Sequence, residues 1–404
     1  MNYLCLYFFS VVLFLFFSSR IFDSIVGVCT ALVASFCILF ILKLIKHSWV
    51  SYGLFFTISL TSFVGITQTL TGSHAGSTLP FLFGLSFYTT TFAYLSATKK
   101  TLNFVDVLKA SNPLLLLTGP IALFVKDYRY RAFKQRFSYF FPYVIVGVFF
   151  YQIIAVPLTK TFELIKFTDV ISSLAFASIF ELFVYMNFCG LSLIIYGLFG
   201  IIGYQVPLNF RQPFSSANII EFWKGWHISL SLVLKTLFYA PIRKKLPTSI
   251  ALLGVYIASA MWHGVTFNFL LWGIFHALMF ILTIKLLKHG RKYLPTIVLV
   301  VAVVIGRLLF AENQTNRLLE KLMFSYDGFG HLMKVLLELP NHSKIALILG
   351  FGLILIEFTL RNTKMVSRRN YKFLRTPIAL LIQVTLFILL ANDLGGGYAV
   401  YGQR

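Results

Sequence analysis

Two histidines lie in polar surroundings within a chain that is otherwise strongly apolar. His227 belongs to the segment FWKGWHISLS, and His263 belongs to the later segment MWHGVTFNF. Each histidine follows a tryptophan and has small or hydroxyl residues nearby. Because an unperturbed imidazole has a pKa of about 6.5, it can accept and return a proton near neutral pH. Both residues are therefore candidates for proton-transfer chemistry. The alternative is that they only pack and bond a neighbouring carbonyl group.

The composition indicates the environment in which these histidines lie. The chain has 404 residues, of which 58% are hydrophobic and 12% are charged, and apolar runs recur from end to end. A soluble domain cannot bury so much apolar surface, so the sequence predicts an all-α polytopic membrane protein with about 11–13 transmembrane or re-entrant helices. We interpret the first apolar run as a retained helix rather than a cleaved signal peptide. The apolar segments near 168–186 and 188–203 are among several that are short for a straight span of about 20 residues.

The sequence predicts a single integral membrane domain over residues 1–404. Residues 1–100 supply N-terminal helices, residues 101–310 form a core that contains both histidine segments, and residues 311–404 supply interfacial helices and C-terminal spans. Residues 312–343 are expected to form one or two amphipathic helices in the plane of the membrane interface.

The charge is strongly positive, because 35 Lys and Arg residues against 13 Asp and Glu residues give a formal net charge of +22. In a membrane protein, basic loops mark the cytoplasmic face, so this charge does not indicate nucleic-acid binding. It fits an integral, multi-pass protein of the plasma (inner) membrane whose basic loops contact anionic membrane lipids. A sharper alternative is that some of these loops face an acidic donor on the cytoplasmic side.

The basic clusters also predict the depth of the two histidines. Arg243–Lys245 and Lys285–Lys292 are both expected on the cytoplasmic side, with two apolar segments between them and His263 at the turn. The outgoing segment, 249–262, is about 21 Å long as a helix, which is shorter than the ~30 Å apolar core of a bilayer. A helix from His227 to the first cluster would place that residue ~21–24 Å deep. Both histidines are therefore expected at a similar depth, where an ionisable group indicates function.

Three other features are interpreted mainly as structural. His276 lies on the returning helix without a polar cluster around it, which favours a helix-contact role. Cys189 is expected to be a small buried apolar residue, and the spacing of the four cysteines indicates neither a metal site nor a disulfide. The loop VPLNFRQPF places Asn209 between two prolines and near Arg211, which predicts an ordered loop that enters the domain. Structural use and a contact to a donor are the alternatives for Asn209.

Several segments of the core share the order and composition of one known family's motifs. They are TGPI (Thr118–Ile121), VPLNFRQPF (Val206–Phe214), NIIEFWKGWHISLS (Asn218–Ser231), YAPI (Tyr239–Ile242) and MWHGVTFNFLLWGIFHAL (Met261–Leu278). Together they resemble the membrane-bound O-acyltransferase (MBOAT) family. The resemblance is closest to the bacterial branch that acylates cell-envelope polymers, which includes alginate O-acetyltransferase and teichoic acid D-alanyltransferase. It implies a central funnel or tunnel that the donor enters from the cytoplasmic side and the acceptor from the outer side.

The resemblance also implies that His263 is the catalytic histidine and that His227 is the second motif residue. The chain departs from the family pattern at several positions. Relatives often carry an Arg-Asp pair after the histidine motif, many carry an Asp in an earlier helix, and an Arg is common after Gly-Pro-Ile. The corresponding residues here are Lys235 and Thr236, Leu193, and Leu123. These departures leave the acyl-transfer core intact and bear on the identity of the donor or partner.

Acyl transfer from a thioester to a hydroxyl group suggests a role for each candidate residue. A hydroxyl is a weak nucleophile, so a base must take its proton during attack, and we assign this role to His263. The developing oxyanion needs a hydrogen-bond donor, for which His227, the indole N–H of Trp226 or Trp262, and the amide of Asn268 are candidates. His227 could equally orient the donor.

Three further residues, Trp223, Asn209 and Ser231, are predicted to contact substrate. Each has a packing alternative, because tryptophans line apolar pockets without further duty and serines cap or pack helices. A covalent acyl-enzyme is disfavoured because Cys189 has no histidine adjacent in sequence. Direct transfer in a ternary complex is therefore expected.

The sequence thus predicts an O-acyltransferase that moves a short acyl group, acetyl in the simplest case, from a cytoplasmic thioester to a hydroxyl of an extracytoplasmic glycan or cell-envelope polymer. Acetyl-CoA is the expected donor substrate, with no tightly bound cofactor and no metal. Expected partners are membrane lipids, the polymer acceptor, and an acyl carrier or accessory envelope protein, but no nucleic acid.

Other functions stay open at this point. Within the same class, the chain could transfer D-alanine from a carrier protein to teichoic acid. A different class is a transporter or flippase for a lipid-linked precursor, with the histidines as proton relays. It predicts paired charges within spans and internal symmetry, and neither stands out in the sequence. A scaffolding pseudoenzyme would keep its function when His263 is replaced by alanine.

Overall fold

The computed structural model describes residues 3–16, 18, 21–45, 49–57, 59, 84–99, 101–118, 121, 126–127, 129, 131–164, 170–311 and 330–390. Most of these residues are helical. In chain order the helices are α1 (Tyr3–Phe16), α2 (Ile21–Leu44), α3 (Leu85–Thr98), α4 (Phe104–Ala110), α5 (Pro113–Thr118), α6 (Phe133–Val148), α7 (Val156–Leu164), α8 (Val170–Ile202), α9 (Ile219–Gly225), α10 (Ile228–Leu234), α11 (Ala240–Arg243), α12 (Thr248–His263), α13 (Phe267–Lys288), α14 (Leu294–Ala311), α15 (Gly330–Glu338), α16 (Asn341–Thr359) and α17 (Pro377–Leu390).

Shorter elements complete the described chain. π-Helical turns continue α6 and α10, and two short 3₁₀ helices precede α9 and α17; they span Phe149–Ala155, Lys235–Tyr239, Pro213–Ser215 and Lys372–Arg375. Strands β1 (Lys126–Asp127) and β2 (Tyr204–Gln205) form a two-stranded sheet.

Six of the described helices are long and apolar enough to cross a membrane: Ile21–Leu44, Phe133–Thr159, Val170–Ile202, Phe267–Lys288, Leu294–Ala311 and Asn341–Thr359. Three shorter apolar helices, α1, α12 and α17, accompany them. A helix bonds its own backbone groups, which is what a segment in lipid requires. The protein is therefore an integral, multi-pass membrane protein, as the composition predicts. The central funnel stays a prediction.

The apolar segments near 168–186 and 188–203 lie on one helix. Helix α8 runs without interruption for 33 residues, a length of about 50 Å. Asn187 is 1% exposed, so its polar side chain lies inside the protein and not at a helix end in water. An isolated polar residue in an apolar run therefore marks a buried polar position here and not a boundary.

The predicted interfacial region is described only in part. Residues 312–329 lie outside the described residues, and α15 is a short helix within the predicted range. The end of that range is corrected, because residues 341–343 already belong to α16, one of the six long apolar helices.

The described residues group into two compact units. The first comprises Met1–Lys126, Gln205–Pro207 and Ser229–Val265. Its core is a cluster of buried apolar side chains from α2 to α5, α10 and α12, which includes Phe87 on α3 and Trp262 on α12. This cluster packs the C-terminal end of α12 against α3, and so it fixes the position of the residue next to His263.

The second unit comprises Asp127–Tyr204, Leu208–Ile228 and Thr266–Arg404. Helices α6 and α8 approach closely within it, because a Cβ at Gly147 would lie only 2.6 Å from the carbonyl oxygen of Gly190. A smaller apolar cluster packs α9 against α14. These contacts hold α9, the helix that ends just before His227.

Candidate active site

His263 is the last residue of α12 and is half-buried. The N–H of Gly264 closes the helix by donating to the carbonyl of Ala260 at 3.1 Å. Helix α13 then begins after Thr266, whose hydroxyl accepts from the N–H of Phe269 at 3.4 Å. Helix α12 has 16 residues and is about 24 Å long. The short helix and the turn that follows it are therefore confirmed, and its direction across the membrane stays a prediction.

The indole of Trp262 fixes the end of this helix. Its N–H donates to the hydroxyl of Thr90 at 2.7 Å, and both side chains are buried. The same ring meets Phe87 edge-on at 6.4 Å and the imidazole of His263 at 4.8 Å between centroids. This N–H was a candidate donor to the oxyanion, but in this structure it is bonded to Thr90 and holds the end of α12 against α3. Sequence reasoning missed Thr90; only the run of three threonines from Thr89 on an apolar helix marks it.

The serines of the first histidine motif have more ordinary surroundings. The hydroxyl of Ser229 accepts from the N–H of Ile121 at 3.2 Å, and both residues are buried. Ser231 is half-buried on α10. Farther along, the hydroxyl of Thr236 donates to the carbonyl of Leu232 at 2.9 Å, within its own helix. Ser229 therefore connects α10 to the end of the TGPI segment, which is a structural role.

Two backbone hydrogen bonds hold the turn that carries His227. The N–H of Ile228 donates to the carbonyl of Asn209 at 2.9 Å, and the N–H of Arg211 donates to the carbonyl of Gly225 at 2.8 Å. A Cβ at Gly225 would lie 2.8 Å from the carbonyl oxygen of Arg211, so only glycine permits this approach. His227 has a φ of 41°, in the left-handed region that other residues than glycine rarely adopt. The predicted ordered loop is confirmed, and Asn209 is fully buried in it.

Aromatic rings pack around this turn. Trp226 stacks on Phe222 with ring centroids 5.4 Å apart and meets the edge of Phe210 at 5.2 Å. Phe210 also contacts the imidazole of His227, with 6.0 Å between centroids. Both Trp226 and His227 keep part of their surface accessible. The loop and the ring of Phe210 therefore orient the imidazole, whose Nδ1 is itself buried.

The remaining aromatic residues of the motifs pack together. Trp223 contacts Trp272 at 6.1 Å and His276 at 5.5 Å between centroids. His276 is buried, its Nδ1 lies 3.0 Å from the carbonyl oxygen of Trp272, and Gly306 approaches its ring so closely that no Cβ would fit. The structural interpretation of His276 is confirmed. Asn268 is fully buried near the start of α13.

The predicted site residues divide between the two units. Those of the first unit are Ser231, Trp262 and His263; those of the second are Asn209, Trp223, Trp226, His227 and Asn268. Within the second unit, Asn209, Trp226 and His227 come together around one turn. Within the ranges that the structure describes, no three His, Cys, Asp or Glu side chains are grouped as metal ligands.

Cys189 is buried, as predicted, but its neighbours are polar. Its sulfur lies 3.0 Å from the hydroxyl oxygen of Tyr371. That oxygen lies 3.4 Å from the hydroxyl of Tyr185, which donates to a carboxyl oxygen of Glu357 at 3.1 Å. All four side chains are at most 1% exposed. They come from three elements far apart in sequence, so no local pattern could indicate this polar cluster.

Left-handed backbone is concentrated in the second unit. Among the described residues other than glycine, φ is positive at Gln212, His227, Arg369 and Tyr371. Arg369 also donates to the carbonyl and to the carboxylate of Glu221 on α9, each at 3.1 Å. No local pattern in the sequence indicates that Arg369 contacts α9.

A pair of opposite charges lies within the spans, although none stood out in the sequence. Arg307 on α14 forms an ion pair with Glu181 on α8, and their side chains are 11% and 6% exposed. The guanidinium group also lies over the ring of Phe310, 5.0 Å from its centroid. The absence of paired charges therefore no longer argues against a transporter.

The comparison with known families settles the class of protein. A sequence model of the membrane-bound O-acyltransferase family matches residues 89–296, about half of the 404 residues. The chain belongs to this family. The matched part of this MBOAT protein contains the two motif histidines, His227 and His263, together with Thr90. Glu357 and Tyr371 lie beyond it.

Three similar proteins show the range of named activities. A peptidoglycan O-acetyltransferase of Helicobacter pylori is 33% identical over 98 residues, which are 23% of this chain and 19% of that protein. The "Probable alginate O-acetylase AlgI" of Pseudomonas aeruginosa is 31% identical over 152 residues, 35% of this chain and 29% of that protein. A teichoic acid D-alanyltransferase of Bacillus subtilis is 24% identical over 140 residues, 32% and 35% of the two chains. The chain thus spans between about a fifth and about a third of the length of these relatives.

Proposed function

We propose that the protein is an O-acyltransferase that moves an acetyl group from a cytoplasmic thioester, acetyl-CoA in the first instance, to a hydroxyl of an extracytoplasmic cell-envelope polymer. Family membership supports the reaction class. Two similar proteins named for O-acetylation of peptidoglycan and alginate support the acetyl group and the polymer. The observation that carries the proposal is the motif histidine His263, half-buried at the end of α12 and held there by the bond between Trp262 and Thr90.

In the proposed reaction His263 is the general base. The acceptor hydroxyl gives its proton to the imidazole while its oxygen attacks the carbonyl carbon of the thioester. The tetrahedral oxyanion then collapses, the C–S bond breaks, and the imidazolium returns the proton to the leaving thiolate. A helix C-terminus favours a positive charge, so the position of His263 stabilises the imidazolium as it forms.

We assign His227 to the binding of the acyl donor. Its imidazole donates a hydrogen bond to the carbonyl oxygen of the thioester, which becomes negative during the reaction. Such a donor stabilises the transition state most when its geometry is fixed before the reaction. The two backbone bonds around its turn and the ring of Phe210 supply that fixed geometry.

The test is transfer of labelled acetyl from acetyl-CoA to envelope polymer in membranes that contain the protein. We expect label with the wild type and a loss of about 10²- to 10⁴-fold with His263→Ala, at equal protein levels. His289→Ala, at an exposed histidine just after α13, is the matched control and should keep full activity. Undiminished transfer by the His263 variant would exclude it as the base.

A second candidate in the same class is D-alanyl transfer from a carrier protein, favoured by the similarity to a teichoic acid D-alanyltransferase. The same membranes would be supplied with D-alanine linked as a thioester to a carrier protein. Label from this donor but not from acetyl-CoA, lost with His263→Ala, would select D-alanyl transfer. A transporter would give no label with either donor.

A further inference from the structure

The side-chain hydroxyl of Tyr371 binds the loop that precedes α9. It donates to the carbonyl of Phe210 and accepts from the N–H of Gln212, each at 3.2 Å. The backbone N–H of Tyr371 donates in turn to the side-chain oxygen of Gln212 at 2.8 Å. Three hydrogen bonds therefore connect one residue of the segment between α16 and α17 to the motif loop VPLNFRQPF.

One arrangement of the protons gives every hydroxyl and thiol of this cluster a partner. A tyrosine hydroxyl has one proton to donate and two lone pairs that accept. The proton of Tyr185 goes to Glu357 at 3.1 Å, and the S–H of Cys189 and the N–H of Gln212 go to the oxygen of Tyr371. Burial raises the pKa of Tyr371 well above its usual value, so this hydroxyl keeps the proton that it donates to the loop carbonyl.

The connection continues from the loop to the histidine. Gln212 and Tyr371 have φ values of 42° and 58°, and His227 has one of 41°. Such backbone persists only where surrounding contacts determine it. The same loop makes the two backbone hydrogen bonds that hold the turn of His227, one through Asn209 and one through Arg211.

We propose that Tyr371 is a positioning residue for His227: its hydroxyl fixes residues 210–212, and this loop fixes the left-handed turn that presents the imidazole. The proposal rests on the proposed function in one respect, because the position of His227 affects transfer only if His227 takes part in transfer. Tyr185 and Glu357 lie on the other side of the cluster, where the hydroxyl oxygen of Tyr185 is 3.4 Å from that of Tyr371.

The test uses Tyr371→Phe in the full-length protein. This change removes the hydroxyl and keeps the ring, which packs against Phe150 at 5.8 Å between centroids. Hydrogen–deuterium exchange is measured at the amides of Arg211, Gln212 and Ile228, which are bonded within the loop and turn. We expect exchange there to be at least about 10-fold faster than in the wild type.

Two further variants make the result specific. Tyr196→Phe is the matched control. Tyr196 is also a buried tyrosine, but it lies on α8, and its replacement should leave exchange at these amides unchanged. If Tyr371→Phe does not fold, Gln212→Asn takes its place, because the shorter side chain cannot reach the N–H of Tyr371 and asparagine tolerates left-handed backbone. It should speed exchange at the same amides.

The second measurement is a double-mutant cycle on transfer activity. Tyr371→Phe should lower acyl transfer about 10-fold in the wild type and have little further effect in a His227→Ala background, because it acts through that residue. Equal losses in both backgrounds, or wild-type exchange rates in Tyr371→Phe, would overturn the proposal. If the wild type itself transfers no acyl group, the proposed function fails, and the exchange measurement alone decides whether Tyr371 fixes the turn.

Discussion

The indole N–H of Trp262 donates to the hydroxyl of Thr90 over 2.7 Å, and the two side chains are 2% and 0% exposed. A buried donor that loses its acceptor costs more than the net value of the bond, because the group cannot return to water. The bond therefore ties the orientation of the residue before His263 to a threonine on α3.

Thr90→Val is expected to lower the free energy of unfolding by about 1–3 kcal/mol, because it keeps the shape and removes the acceptor. Acyl transfer should fall about 10-fold as the end of α12 loosens. Thermal unfolding in detergent and the transfer assay measure the two effects. Thr90→Ser keeps the hydroxyl acceptor, so it should retain both the stability and the transfer activity of the wild type.

The matched control is Thr91→Val on the same helix. Thr91 is also buried, but its hydroxyl donates to the carbonyl of Phe87 in its own helix at 2.7 Å. If Thr91→Val harms transfer as much as Thr90→Val, the bond to Trp262 has no special role.

Gly225→Ala should destabilise the second unit and reduce transfer. The new Cβ would lie 2.8 Å from the carbonyl oxygen of Arg211 and 3.3 Å from the Cα of Pro213, and both are backbone atoms that cannot move independently. We expect a loss of about 1–3 kcal/mol in unfolding free energy. Gly352→Ala in α16 is the control, since no atom lies within 4 Å of its added Cβ. Equal melting temperatures for the two variants would show that the loop and turn are not in close contact.

Arg307→Met is expected to be strongly destabilising, by about 3–5 kcal/mol, because it leaves Glu181 buried without its partner. The double variant Glu181→Leu with Arg307→Met should recover most of that loss. Glu221→Gln, in the more exposed pair with Arg369, should cost no more than about 1 kcal/mol. Thermal unfolding of the wild type and these three variants would test the three expected stabilities. Full stability of Arg307→Met would mean that Glu181 is not held as a buried charge.

The predictable parts of this fold depend on patterns within short stretches of chain. The apolar lengths and basic clusters on either side of His263 predict α12, the turn and α13, and the prolines of VPLNFRQPF predict the ordered loop. Helix α8 reads in the sequence as two apolar segments, 168–186 and 188–203, because a buried Asn187 and a helix end look alike in sequence. What the sequence could not indicate are contacts such as that between Gln212 and Tyr371, which are 159 positions apart. Such pairs depend on how whole helices pack.

His227 offers a test that separates its backbone from its side chain. Its φ of 41° is tolerated by asparagine and strained for a β-branched residue. We therefore expect His227→Asn to keep the stability of the wild type and His227→Val to lose about 1–2 kcal/mol or more.

Transfer activity should fall in both variants, because neither side chain carries an imidazole. Active His227→Asn with inactive His227→Val would show that the imidazole itself is not required. The amide N–H of asparagine would then replace the imidazole N–H as the hydrogen-bond donor to the oxyanion. Full activity with both variants would leave His263 as the one motif histidine that the reaction requires.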